Sequence, residues 1–506
     1  MMSFTLRLSI LAMIGASLIG CASQAPNATP AATAAATTAA GKPLAGVTLR
    51  GTVSQGKEKA SITVFDAQGK SKKVESDASG RYTVAADGLV APLMLVAQAG
   101  GQQFVAIVTQ PAGAATANIN ALTDYVASGV AKSAKFEGPV GLAQSGKAPS
   151  VSADEIKRQN AALQPLVGAA LKEAGVQDAA FDPVASQAAG VARVLEVVRH
   201  NRGYLSAKGV LGETSLFDYN FREISTLSPL GLARAQAEKQ ALNAGGVTRV
   251  FIAGDSTASN YDVDVTPRMG WGQIFERQFK SGNVKVMNVA QSGRSSRSFI
   301  TEGWFGMIEK EIRKGDYLLV QFGHNDEKCG YEPARPAPAR DVIDIANLCT
   351  YPAQAAGIPD EMSFQKTLEK YIAIASKVGA TPVLITPVTR RSFKGGQIGE
   401  TTHTWGRGKV PGDYSQTIRD TAKANKVALV DLDASSMAFF NKLGEQASLD
   451  YYLAVDPAKY PYYADKTGSR SKPDNTHFQE KGAEAVGGLV AQGLKQAKLP
   501  IAQHLK

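Results

Sequence analysis

The sequence predicts a multidomain chain. Its C-terminal half is a three-layer α/β domain of flavodoxin-like type, built on a parallel five-stranded sheet and preceded by a small β-sandwich and a helical segment. Three observations carry this. From residue 247 onward, short apolar runs alternate with longer stretches of helical periodicity, the rhythm of βαβ units. Between residues 47 and 120, short alternating strands are cut by turn signals such as Asp66-Ala67-Gln68-Gly69 and Asp77-Ala78-Ser79-Gly80, the habit of a sandwich. Between these two regions Ile156, Ala162, Leu163, Leu166 and Val167 recur at helical spacing.

The 506 residues exceed one domain, and 44% hydrophobic with 20% charged residues is ordinary for a globular protein. The net charge of +10 is spread over scattered Lys and Arg with no dense run. That gives a nucleic-acid partner no support and leaves an acidic polysaccharide open.

Residues 1–20 read as a signal peptide. The run Leu8 to Ile19 is apolar but too short to span a bilayer. It ends Leu18-Ile19-Gly20-Cys21, which resembles the bacterial lipoprotein signal and implies Cys21 as a lipidated N-terminus. Ala22 follows, not aspartate, which by analogy points to an exported lipoprotein of the outer membrane, on its periplasmic or surface face. Residues 21–44 are Ala, Thr and Pro with small polar residues, a tether with a mean reach of about 25 Å.

Residues 45–121 form the expected sandwich, with strands at Thr48–Val53, Ala60–Phe65, Arg81–Val84, Leu93–Ala97 and Phe104–Val108. Its DASGRYTV segment resembles Ig-like or carboxypeptidase-regulatory-like modules of bacterial surface proteins, and the expected role is a spacer. Residues 122–246 are the helical segment and linker, read as helical to about Arg202, weakly patterned from 203, and helical again from Leu230 to Asn243. Gly141 to Ala148 comes near a phosphate-binding loop but lacks the Ser or Thr that ligates magnesium and follows no buried strand.

Residues 247–506 hold the α/β domain. Strands are expected at Val247–Ala253, Val284–Val289, Tyr317–Phe322, Pro382–Ile385 and Val427–Leu432. Helices are expected at Trp271–Lys280, Trp304–Arg313, Phe364–Val378, Tyr414–Ala424 and near Gln479–Lys495. Functional residues in such a sheet belong on loops after the strands' carboxyl ends. The first strand delivers Gly254-Asp255-Ser256 there, making Ser256 the candidate nucleophile. The loop after the second strand carries Gly293, and the loop after the third carries Asn325. Their backbone and amide N–H groups, with the Ser256 N–H, make a three-donor oxyanion hole. Before the last helix comes Asp474-Asn475-Thr476-His477; an Asp three residues before a His can accept the Nδ1 proton and leave Nε2 for the serine. Asp326 competes for the orienting role, and the spacing favours Asp474. Asp255 reads as support for its turn. No His-Glu-x-x-His is present, so neither a metal nor another cofactor is expected.

Gly254-Asp255-Ser256, Gly293, Gly323-x-Asn325-Asp326 and Asp474-x-x-His477 resemble, in order, the four blocks of the SGNH (GDSL) hydrolases over about Val247 to Leu499. The resemblance implies a serine esterase with Ser256, His477 and Asp474 as triad. The segments GDSTAS, SGRSSRSF, FGHND, TPVTRRSF and DNTHF resemble the rhamnogalacturonan acetylesterase branch, which implies an acetylated, acidic pectic substrate. Within that comparison Arg390 and Arg391 are candidate contacts to an acidic sugar, and Trp405 is a candidate stacking platform. The sequence departs from the branch in a proline-rich insertion at 327–362 and a tyrosine-rich loop at 441–473. Another acyl ester, such as acetylated xylan or a lipid, and a purely glycan-binding surface role stay open. If Cys21 carries lipid, Cys329 and Cys349 are left to pair in an oxidising compartment, a bridge worth roughly 3 kcal/mol in the chain-entropy model.

Overall fold

The computed structural model describes residues 41–54, 59–99, 102–136, 138–146, 151–177, 180–202, 214–328, 348–352, 359–405 and 412–506. Cys21, Cys329, the signal segment and the tether as far as residue 40 lie outside them; the last residue of the expected tether is held in the fold, Leu44 N donating to the Leu89 carbonyl at 2.8 Å. The described residues belong to one compact unit, Gly41–Lys506. No described helix is long and apolar enough to cross a membrane.

The N-terminal strands are β1 (Thr48–Thr52), β2 (Ser61–Phe65), β3 (Ser71–Glu75), β4 (Arg81–Ala85), β5 (Leu93–Ala99), β6 (Gln102–Val108) and β7 (Ala114–Thr116). They form a three-stranded sheet, β4-β1-β7, and a four-stranded antiparallel sheet, β3-β2-β5-β6. Alternation fixes the faces: Tyr82 and Val84 of β4, with Ile62 and Val64 of β2, point into one cluster with Leu49, Leu95 and Phe104. β3 was hidden from the sequence pattern because Ser-Lys-Lys-Val-Glu offers one apolar residue. It is an edge strand, where lysines discourage pairing with another chain.

The outer face of the four-stranded sheet, with Met94, Val96, Val105 and Ile107, buries against helices Ala121–Ser133 and Ala153–Glu173. Asn120 caps the first of these, accepting from Leu122 N and Thr123 N while the Thr123 hydroxyl returns a bond to the cap backbone. The helical reading runs too far at its end. The helix Ala189–Leu195 gives way to β8 (Arg199–Arg202), which pairs antiparallel with β9 (Thr214–Phe217). Arg-His-Asn-Arg carries no apolar residue, so no periodicity marks it as a strand. Its side chains are held by polar partners instead: His200 and Arg202 by the buried Asp124, Arg199 by Glu311, and Asn201 by the Glu302 carbonyl at 3.1 Å. Asp124 also accepts from Val105 N at 2.7 Å and the Thr214 hydroxyl at 2.7 Å, so one carboxylate joins helix, sheet and hairpin.

The C-terminal strands are β10 (Thr248–Gly254), β11 (Arg268–Met269), β12 (Val284–Asn288), β13 (Tyr317–Gln321), β14 (Thr381–Ile385), β15 (Thr404–Trp405), β16 (Gly412–Asp413), β17 (Ala428–Val430) and β18 (Phe478–Gln479). Five make a parallel sheet in the order β12-β10-β13-β14-β17. Successive residues go to opposite layers. Val250, Ile252, Leu319, Val383 and Ile385 pack with the last helix, Glu480–Gln496; Phe251, Ala253, Leu318, Val320 and Leu384 face the other core. Burial on both faces explains the unbroken apolar runs.

Some boundaries differ from the sequence reading. The helix at Trp271 ends at Ile274 and tightens into a 3-10 turn, Phe275–Gln278. The helix at Trp304 ends at Glu309. The last strand stops at Val430, and a helix, Leu432–Leu443, begins with Asp431 accepting from Ala434 N. Leu432 prolonged the apolar run; the cap at Asp431 was the signal that should have stopped it.

Candidate active site

Ser256 follows β10 in a tight turn. Ala258 N and the Ser259 hydroxyl both donate to the Asp255 carbonyl, at 3.1 and 2.8 Å. The turn leaves Ser256 at the point where the strand order reverses, between β10 and β13, the usual ligand position in an open α/β sheet.

His477 reaches it from 221 residues away, with Nε2 2.9 Å from Ser256 Oγ. On its other side Nδ1 lies 2.7 Å from Asp474 Oδ2. Asp474 Oδ1 accepts from Thr476 N at 2.8 Å and His477 N at 3.1 Å. Burial pushes the Asp474 carboxyl up, but the bond and charge of His477 with these two N–H groups outweigh it and hold it at about 2. An ionised carboxylate only accepts, so Nδ1 carries the imidazole proton and Nε2 is the acceptor for the serine hydroxyl.

The loop holding His477 is tied from three sides. Leu453 N donates to the His477 carbonyl, Arg391 N donates to the Asn475 carbonyl, and β18 pairs with β11. The tyrosine-rich segment at 441–473 thus supports the histidine from Leu453.

The donor side is equally built. Gly293 has φ +78°, a left-handed conformation that a side chain would strain. Gly323, at φ +145°, passes so close to Pro387 that a Cβ would lie 2.8 Å from its Cγ. Asn325 Nδ2 donates one hydrogen to the Arg294 carbonyl at 3.0 Å, and Lys328 Nζ donates to Asn325 Oδ1 at 2.8 Å. These bonds fix the amide and leave its second N–H for a ligand. Among the described residues, the Ser256 and Gly293 N–H groups have no protein acceptor.

Two carboxylates near the site face inward. Asp255 accepts from Thr257 N at 2.9 Å and lies 3.0 Å from His324 Nδ1. Burial pushes the His324 imidazole down to about 4, with Asp255 opposing, so it is neutral near pH 7. Asp326 accepts from Ser296 N and the Ser296 and Thr350 hydroxyls, and burial raises its carboxyl to about 7.

The structure separates Arg390 and Arg391. Arg390 pairs with Glu327 and donates to the Thr402 carbonyl; Arg391 donates to the Ser448 hydroxyl and the Glu445 carbonyl. Both guanidinium groups are engaged within the chain. The stacking expectation for Trp405 lies outside the described side chains; its backbone pairs with Gly412. Cys349 is disulfide-bonded. Among the described residues, no group of three or more His, Cys, Asp or Glu side chains is arranged to hold a metal ion. The sequence reading missed Tyr261, whose hydroxyl donates to the Ser256 carbonyl at 2.6 Å, and Arg268 beside it. In the sequence their stretch carries no motif and lies between an expected strand and an expected helix.

A parallel sheet of this order, with these blocks on its carboxyl ends, is the architecture of the SGNH hydrolases, and this half of the chain is that of a carboxylic ester hydrolase. The chain belongs to the GDSL-like Lipase/Acylhydrolase family, whose pattern matches residues 252–485. It is 35% identical over 257 residues to the rhamnogalacturonan acetylesterase RhgT of Bacillus subtilis, an alignment covering 51% of this chain and 94% of that one. It is 32% identical over 256 residues to the same organism's "Probable rhamnogalacturonan acetylesterase YesY", covering 51% and 96%. The crystal structure of the Bacillus subtilis protein YxiM matches with 23% identity and a TM-score of 0.36, over 50% of this chain and 58% of that one.

Proposed function

We propose that the protein is a serine esterase that removes O-acetyl groups from a carbohydrate, with acetylated pectic rhamnogalacturonan as its substrate. The observation that carries this is the continuous line from Ser256 Oγ through His477 to Asp474, with spans of 2.9 and 2.7 Å. The substrate is suggested by the relatives' names. His477 Nε2 takes the Ser256 proton as Oγ attacks the acetyl carbonyl. The tetrahedral oxyanion rests on the N–H groups of Ser256, Gly293 and Asn325. His477 then gives its proton to the departing sugar oxygen as the C–O bond breaks. Water, deprotonated by the same imidazole, attacks the acetyl-enzyme; acetate leaves and Ser256 regains its proton. Asp474, ionised throughout, steadies the imidazolium.

For the rest of the chain our reading keeps Cys21 as a lipid anchor at the outer membrane, the two N-terminal sheets as an Ig-like β-sandwich spacer, and Cys329 as the disulfide partner of Cys349. The test is acetate release from a panel of acetylated polysaccharides, rhamnogalacturonan, homogalacturonan and xylan, with Ser256→Ala as control. Release from the pectic polymers by the wild type alone supports the reading. Undiminished release by Ser256→Ala removes the mechanism, and preference for xylan removes the substrate.

A further inference from the structure

The segment leaving Ser256 brings a positive charge back to the site. The Tyr261 hydroxyl donates to the Ser256 carbonyl at 2.6 Å, and the Arg268 guanidinium stands over the Tyr261 ring, 4.4 Å from its centroid. β11 then pairs antiparallel with β18, setting Arg268 opposite Gln479 and Met269 opposite Phe478, the residue after His477. Arg268 is thereby held by both the serine loop and the histidine loop. A third segment closes on it. The Tyr463 hydroxyl, raised to about 12 by burial, lies within electrostatic reach of both Arg268 and Asp474.

Other cations around the site are engaged: Arg294 with Glu302, Arg390 with Glu327, Arg391 with Glu445 and Lys328 with the Asn325 amide oxygen. Arg268 has no carboxylate within ion-pair distance among the described residues, and its buried Nε has no acceptor. The residue is nevertheless part-exposed, so an external group can reach it. Besides lying against the Tyr261 ring, the guanidinium hydrogen-bonds the Tyr261 hydroxyl; so held it is fixed in one orientation and presents its remaining donors to an anion. A charge shielded from water without a partner is unfavourable unless something supplies the counter-charge.

We infer that Arg268 takes the carboxylate of a uronic acid residue of the polymer bound at the site. This rests on the polysaccharide acetylesterase reading and deepens it: the acidity of the substrate is recognised at Arg268, stacked on Tyr261, and not at the Arg390–Arg391 pair. Neighbouring sugar binding at this point would set which ester along the polymer meets Ser256.

The experiment is calorimetric binding to the full chain of two probes, a galacturonic acid trimer and the same trimer with its carboxyls reduced to alcohols. The wild type should bind the acidic trimer about tenfold or more tightly than the reduced one. Arg268→Gln should abolish that preference by weakening only the acidic trimer, and Arg268→Lys should restore part of it. Should Arg268→Gln not fold, Arg268→Lys decides alone, since its preference must shrink. A wild type without preference, absent binding included, or a variant that keeps the full preference overturns the assignment. Binding needs no turnover, so a wild type that prefers the acidic trimer yet releases no acetate from any polymer would sink the esterase reading and leave the Arg268 site standing.

Discussion

The Asp326 carboxylate accepts the Ser296 hydroxyl at 2.6 Å, and so joins the turn that carries Asn325 to the first turn of the helix Ser296–Thr301 that follows Gly293. Two of the three proposed oxyanion donors are therefore indexed to each other through one buried side chain. Tyr371, donating to the Ser296 carbonyl at 2.8 Å, holds the same turn from behind.

That carboxyl has a pH signature. Burial raises it from 3.8 to about 7. Between those values the folded chain holds a proton that the unfolded chain releases. The stability from protonated Asp326 is fully present below pH 4 or so and is lost as pH rises through about 7. The difference in denaturation midpoint between wild type and Asp326→Asn should therefore move against the wild type from pH 5 to pH 8. Parallel profiles would show that Asp326 is not the titrating group. Asp474 acts with the opposite sign. Its carboxyl is lowered to about 2, so its contribution is present above about 4 and lost as pH falls toward 2.

Asp474→Asn should keep the fold and lose the tautomer. An amide can present its N–H to Nδ1, which drives the proton to Nε2 and leaves the Ser256 hydroxyl without an acceptor. We expect kcat to fall by roughly 10⁴ with the melting temperature little changed. A loss below tenfold would mean that another group orients His477.

Asn325→Ala removes one proposed oxyanion donor and should slow turnover by roughly 10²–10³-fold, mostly in kcat. Steady-state kinetics on a small acetyl ester read this directly. A change confined to KM would place Asn325 in substrate binding and outside the oxyanion hole.

The Arg294–Glu302 pair is almost wholly buried, with side-chain exposures of 4% and 2%. The Arg294 carbonyl anchors the Asn325 amide. Glu302→Gln keeps the shape and leaves the guanidinium without its counter-charge, which should cost roughly 3–5 kcal/mol. Both the unfolding midpoint and kcat should fall. The double variant with Arg294→Met should regain stability; if it does not, the pair is not what holds this loop.

What the sequence reveals follows from the range of each contact. Ser256, Asp474 and His477 are legible because turn and acid–base spacing are local, and strands buried on both faces announce themselves by composition. The pairing of Arg390 with Glu327 and of Arg391 with Glu445 joins residues far apart in the chain, so the partners of two adjacent arginines leave no mark in the local sequence. Arg268 was overlooked for the same reason, since its setting depends on a two-residue ladder to Gln479. β8 was invisible because its side chains are satisfied by ions and hydrogen bonds, and periodicity registers only oil.

Phe217 and Phe221, from the β9 hairpin and the turn after it, bury in the same cluster as Phe251, Met287 and Trp304, and the Phe217 ring meets the Trp304 ring edge-on at 5.6 Å. Homology begins near residue 252, and a truncation designed from it would start there. Such a fragment would bare one flank of its sheet to water and tend to aggregate. A soluble catalytic fragment of this chain has to start upstream of the hairpin, at the end of the helix Ala153–Glu173 or before, carrying residues that no motif marks as part of an esterase.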